Sequence, residues 1–199
     1  IHQLLSTNPD GRVQDEANLT WEWRKNTDNN YCTGETGQNG RGADLNRNYP
    51  YAWQNNYDEC YQTYSGPSAG SEPETIAVTN YIKTVFPDQK GPDPNDPVNE
   101  LSATGIFIDL HSYSRLVLWP WGYTYDAAPN DASLRVMSYK FAYYNGHLPQ
   151  KSTELYPTAG STDDWAYGEL GVPGFCFEMG DSFHQSCSVF ESDINPRNQ

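Results

Sequence analysis

The stretch Gly105-Ile106-Phe107-Ile108-Asp109-Leu110-His111-Ser112-Tyr113 decides the fold. Its first six residues form a near-continuous apolar run that fits a central strand, and that strand delivers His111 at its C-terminal edge. A second apolar run, Gly174-Phe175-Cys176-Phe177, ends in the same way on Glu178. Helical patterns surround these strands. Ser71-Glu72-Pro73-Glu74 reads as a capping box with proline just inside the start, and Ile76, Val78, Tyr81, Ile82 and Val85 follow at helical spacing. Residues Ser133 to Tyr144 place Leu134, Met137, Phe141 and Ala142 on one helical face. Strands alternating with helices predict an α/β fold, a twisted mixed central sheet flanked by helices. Ligands of such sheets sit beyond the carboxyl ends of the strands, where both His111 and Glu178 fall.

Outward from this centre the pattern weakens. Ile1 to Leu5 reads as a short buried strand entering a turn at Asn8-Pro9-Asp10-Gly11. From Trp21 to Tyr64 the chain is rich in Asn, Gly and Tyr without a sustained period, which predicts long surface loops that Cys32 and Cys60 are placed to staple. Pro87 to Asn99 is an acidic, proline-rich connector, an exposed loop or a calcium site. Tyr156 to Trp165 reads as a further loop.

Composition bounds the function. The 199 residues allow one α/β domain with a real core. With 12 Lys plus Arg against 26 Asp plus Glu, the net charge of −14 excludes nucleic acid and anionic membranes as partners. No apolar run approaches the roughly 18 residues of a membrane-spanning helix. Four cysteines without a Cys-x-x-Cys spacing fit two disulfides and a secreted or extracytoplasmic location.

His111 offers an imidazole for metal ligation or proton transfer, and Glu178 a carboxylate that an apolar strand end pushes toward neutrality. Two arginines stand in Asn-rich loops of a cation-poor chain: Arg24 in Trp23-Arg24-Lys25-Asn26, and Arg47 in Asp44-Leu45-Asn46-Arg47-Asn48-Tyr49. Their forked guanidinium groups suit a carboxylate or an oxyanion, or else brace their own loops.

The ordered blocks NPDG (8–11), WRKN (23–26), GADLNRNY (42–49), YSGPSAGSEPET (64–75), DLHSY (109–113), YPTAGSTDDWAY (156–167) and FEMG (177–180) resemble the zinc carboxypeptidase family, that of pancreatic carboxypeptidases A and B and their bacterial relatives. The resemblance implies a zinc-dependent exopeptidase with one Zn(2+) per complete domain, acting on the C-terminus of a peptide or protein. It implies that His111 is a zinc ligand, Glu178 the general base and Arg24 the group that stabilises the oxyanion. Asn46, Arg47 and Tyr156 would hold the substrate's terminal carboxylate, and Ser112 and Tyr113 would line the cleft. Asp44 would orient a zinc histidine. Asp163, seven residues after Tyr156, matches the pocket carboxylate of members specific for Lys or Arg, and Lys151 lies near a second pocket-lining position from which it could neutralise Asp163, which leaves dual or hydrophobic specificity open. A disulfide between Cys32 and Cys60 would brace the loop carrying Asn46 and Arg47, and Cys176 with Cys187 is the remaining pair, free buried thiols being the alternative.

One part of the family pattern is missing. The histidines His2, His111, His147 and His184 are followed three residues later by Leu5, Ser114, Gln150 and Cys187, so the chain has no His-x-x-Glu pair for the other two zinc ligands. The expectation is therefore a single partial catalytic domain over residues 1–199, the middle and later part of a domain of roughly 300 residues. Its partner would be the missing N-terminal segment, and the last helix would also be absent. The alternatives are a zinc-less relative serving as a peptide- or carbohydrate-binding module, and a carboxypeptidase acting on cell-wall peptides.

Overall fold

The computed structural model describes residues 1–34, 40–56, 58–93 and 95–199. The loops read over residues 21–64 and 87–99 include 35–39, 57 and 94, which lie outside the described residues. The chain divides into two compact units, residues 1–85 with 159–161 and residues 86–158 with 162–199.

In the first unit, Ile1 to Leu5 is exposed and forms no strand, and that unit's described residues include no strand for it to pair with. Asn8-Pro9-Asp10-Gly11 is not a turn but the start of helix α1, Pro9–Ala17. Asn8 caps it by accepting from the Gly11 amide at 3.0 Å, and Pro9 occupies a first-turn position that has no amide to satisfy. The Asn8 amide group donates at 3.1 Å to the carbonyls of both Arg24 and Lys25. Gly11 is confined by the same contact, since a Cβ there would stand 2.5 Å from the Lys25 carbonyl oxygen.

Lys25 is buried, and its ammonium donates to the carbonyls of Glu59 at 2.9 Å and Tyr61 at 3.4 Å, on either side of Cys60. Burial lowers its pKa to about 8, against the pull of Asp44, Asp58 and Glu59. Cys60 forms the expected disulfide with Cys32. The loops between are ordered by two buried asparagines. Asn26 donates to Glu72 at 2.7 Å and accepts from the Ala43 amide at 2.9 Å. Asn48 donates to the Ser65 carbonyl at 2.8 Å and accepts from the Glu72 amide at 3.1 Å. Helix α2, Pro73–Val85, follows where its pattern predicts.

The second unit holds a mixed four-stranded sheet in the order β1-β4-β2-β3, with β1 Phe107–His111, β2 Leu116–Trp119, β3 Leu148–Lys151 and β4 Gly174–Glu178. β4 runs parallel to β1 and antiparallel to β2, and β2 runs parallel to β3. The apolar run expected in the sheet centre is β1, but β1 stands at one end. Its burial alternates, with Ile108 and Leu110 exposed, so only one face is covered. β4 and β2 hold the two inner positions, and every residue of β4 before Glu178 is buried.

Strand alternation sorts the β4 side chains. Phe175 and Phe177 meet the Phe141 ring of helix α3, Asp131–Asn145, at centroid distances of 5.2 and 5.4 Å. Gly174 backs onto helix α5, Thr162–Leu170, where a Cβ would lie 2.6 Å from the Asp163 carbonyl. Between β3 and α5 lies the short helix α4, Ser152–Leu155, and α5 begins inside the segment read as a loop to Trp165. The described residues of the connector before β1 are largely exposed, and the Lys90 ammonium donates to the Asp96 carbonyl at 2.7 Å.

The Cys176–Cys187 pairing is corrected. Neither is in a disulfide: Cys176 is buried in β4, and Cys187 is exposed at the start of a helical turn, Cys187–Val189. The reason is placement within the strand: Cys176 shares the face of Glu178, and its Sγ lies 3.9 Å from that carboxylate.

Candidate active site

His111 and Glu178 are register partners at the carboxyl ends of the parallel strands β1 and β4. The Met179 amide donates to the His111 carbonyl at 2.8 Å and locks the two ends together. One ligand atom from each of His111, Cys176 and Glu178 lies within 4.8 Å of the others. An imidazole, a thiol and a carboxylate so gathered are donors that zinc accepts.

Behind the imidazole stands Asp109, two residues earlier on the same strand face, with Oδ2 at 2.9 Å from His111 Nε2. The same oxygen accepts from the Thr162 hydroxyl at the start of α5. A carboxylate behind one ring nitrogen fixes the tautomer and offers the other nitrogen to a metal. The sequence reading gave Asp109 no role and gave Cys176 only that of a disulfide partner. The period-two spacing Asp109-Leu110-His111 was the signal for the first, and Cys176-Phe177-Glu178 for the second.

In the first unit Arg24 and Asp44 form an ion pair, Nε to Oδ2 at 2.6 Å. Asp44 is buried, which pushes its carboxyl up, but Arg24 and Arg47 outweigh that and hold it below the usual carboxylate range. Its second oxygen accepts from the Asn46 amide at 3.0 Å and caps the short 3₁₀ turn Leu45–Arg47. Asp44 thus fixes both the plane of the Arg24 fork and the turn that bears Asn46 and Arg47. The Arg47 backbone is held by Gly160, whose φ of +67° and lack of a side chain bring it against the Arg47 carbonyl, where a Cβ would stand at 2.3 Å.

The remaining candidates belong to the second unit. Ser112 follows β1 and lines a cavity of about 400 Å³ with Met179, Phe183 and Phe190. The Tyr113 ring meets Phe183 edge to face at 4.8 Å. Tyr156 is exposed directly after α4. Asp163 is buried in the first turn of α5 and accepts from the Ser152 hydroxyl at 3.1 Å. Lys151 does not bond to it: its ammonium donates to the carbonyls of Tyr125 at 2.9 Å and Asp126 at 2.7 Å. The neighbouring Asp164 is fully buried, and burial with the adjacent Asp163 raises its carboxyl well above the usual range against the amides of Gly122 and Tyr123.

The family model described as zinc carboxypeptidase matches residues 1–199. Human mast cell carboxypeptidase A is 35% identical over 188 residues, covering 87% of this chain and 39% of that protein. Bovine carboxypeptidase B is 31% identical over 211 residues, covering 98% of this chain and 44% of that protein. The chain therefore spans about two fifths of the length of these relatives. Among solved structures, bovine thrombin-activatable fibrinolysis inhibitor in complex with tick carboxypeptidase inhibitor aligns with a TM-score of 0.74 at 21% identity, covering 96% of this chain and 62% of that one, which supports the fold.

Proposed function

Because the chain belongs to the zinc carboxypeptidase family, we propose that it forms part of a metal-dependent exopeptidase that removes the C-terminal residue of a peptide. The observation that carries this reading is the pairing of His111 with Glu178 at adjacent strand ends, with Asp109 behind the imidazole. A zinc ion at His111, with further donors from outside this chain, would supply Lewis acidity and lower the pKa of a bound water.

The chain's own groups divide the remaining work. Glu178 takes the proton of the attacking water and passes it to the departing amine. Arg24, its plane set by Asp44, stabilises negative charge as it develops on the scissile carbonyl oxygen. Asn46, Arg47 and Tyr156 hold the terminal carboxylate, and Asp44 orients a zinc histidine of the complete domain. Ser112 and Tyr113 line the cleft on the side of the preceding residues. The Cys32–Cys60 disulfide supports a secreted or extracytoplasmic location, and no helix among the described residues is long and apolar enough to cross a membrane.

The test is hydrolysis of a blocked dipeptide with a free C-terminal carboxylate by the intact protein. Activity is expected to disappear on chelation and return with added zinc. Hydrolysis that persists through exhaustive chelation refutes the metal-dependent reading.

Asp163 extends the proposal to specificity for Lys or Arg. Its support is a buried carboxylate whose neighbour Lys151 is engaged elsewhere. Asp163→Ile is expected to reverse a preference for C-terminal Lys over Leu, with the ratio of kcat/KM values shifting by roughly tenfold to several hundredfold, the range a single pocket contact commands. A variant that retains the Lys preference sinks the basic-specificity reading.

A further inference from the structure

The family resemblance gives roles to His111 and Glu178 and leaves the third member of their cluster without one. Cys176 is buried, shares the β4 face of Glu178, and its Sγ stands 3.9 Å from Glu178 Oε1. Its register partner on β1 is Asp109, the residue that backs His111. We propose that Cys176 is a metal donor, and that His111, Cys176 and Glu178 form within this chain a three-donor site for a soft divalent cation such as zinc or cadmium.

Two independent observations carry this. The donor atoms of the three side chains lie within 4.8 Å of one another, a spread that small side-chain rotations close onto one ion. The imidazole is also buttressed through Nε2 by Asp109, itself held by Thr162, which is the outer-layer arrangement typical of metal-bound histidine. Nδ1 is then the coordinating nitrogen. Thiolate and carboxylate together balance the charge of a dication, and the thiol proton leaves to solvent as the metal–sulfur bond forms. Sulfur ligation favours softer ions over magnesium or calcium. Glu178 cannot be donor and base in the same molecule, so loading of this set opposes hydrolysis. The inference shares His111 and Glu178 with the exopeptidase reading, yet it requires neither peptide substrate nor turnover.

The test uses the intact protein, stripped by chelation and titrated with Co²⁺ and with Cd²⁺. A thiolate-to-metal charge-transfer band is expected, with Cys176 protected from alkylation in step with it, as mapped by peptide mass spectrometry. Cys176→Ser should lose the band, and Cys187→Ser should keep it. Asp109→Asn should keep the band while weakening the metal roughly ten- to a hundredfold. Binding without a thiolate band, or alkylation of Cys176 unaffected by bound metal in the unmutated protein, overturns the proposal. The second readout needs no variant to fold. Because loading of this set opposes hydrolysis, the two readings are separated by stepwise zinc reloading of the stripped protein: hydrolysis at no zinc level, with the band present, removes the exopeptidase reading and keeps this one, and hydrolysis without the band at any metal level does the opposite.

Discussion

Alanine at position 24 is expected to lower kcat of the intact protein by about 100- to 1,000-fold, roughly 3–4 kcal/mol of transition-state stabilisation, with little change in KM. The same exchange strips Asp44 of its partner at 2.6 Å, in a site where the carboxylate is almost fully enclosed. Breaking a buried ion pair costs about 3–5 kcal/mol, and a lower figure, about 2 kcal/mol, applies here because Arg24 is partly exposed and Arg47 and the Asn46 amide remain. Asp44 has a depressed pKa in the folded protein, so its stabilising contribution is present above the ordinary carboxylate pKa and is lost as the pH falls through the lowered value. The stability gap between variant and parent should therefore be fully open at neutral pH and close in acid. Urea unfolding at two pH values reads the gap, and single-turnover hydrolysis reads the catalytic loss. Arg24→Lys separates the two, because it keeps a charge for Asp44 but not the planar fork. A lysine variant with unimpaired kcat excludes the oxyanion role.

Glutamine at position 178 should reduce kcat by about 100- to 10,000-fold, the range that a positioned general base commands. Its shape is conserved, and β4 is fixed by its neighbours β1 and β2 rather than by this side chain, so folding and KM are expected to hold. A variant within tenfold of the parent assigns the base to another residue.

Most of the α/β layout was legible because long periodic segments declare themselves. Helix α2 follows its pattern because its buried positions recur at helical spacing, and β4 because its short apolar run is bounded by Gly174 and Glu178. The failures are physical. Leu116–Trp119 is buried at every position, so a strand of this length has no alternation to distinguish it. Proline and glycine in Asn8-Pro9-Asp10-Gly11 signal a turn locally. A helix forms instead, with Asn8 as its N-cap and Pro9 in its first turn, and the Asn8 side chain also ties that cap to carbonyls 16 and 17 residues away. Likewise, the sequence pointed to His111 and Glu178 as residues at strand ends, but Asp109 looked like part of an apolar run. Its role depends on the Thr162 hydroxyl, brought in by α5 from 53 residues further along. Cysteine counting erred for a related reason: pairing depends on where side chains point, and Cys176 faces a carboxylate rather than Cys187.

The position of β1 at the end of the sheet bears on how this chain behaves in solution. Among the described residues its sole strand neighbour is β4, and Ile106, Ile108 and Leu110 are exposed along it. An open strand edge beside apolar side chains is a template for pairing with other chains. What opposes such pairing is the net charge of −14, a repulsion whose reach shrinks to about 10 Å at 0.1 M salt. Colloidal stability of the isolated chain is therefore greatest in dilute buffer, and the salt that protects many acidic proteins from adventitious contacts would here bring neighbouring molecules close enough to zip along β1.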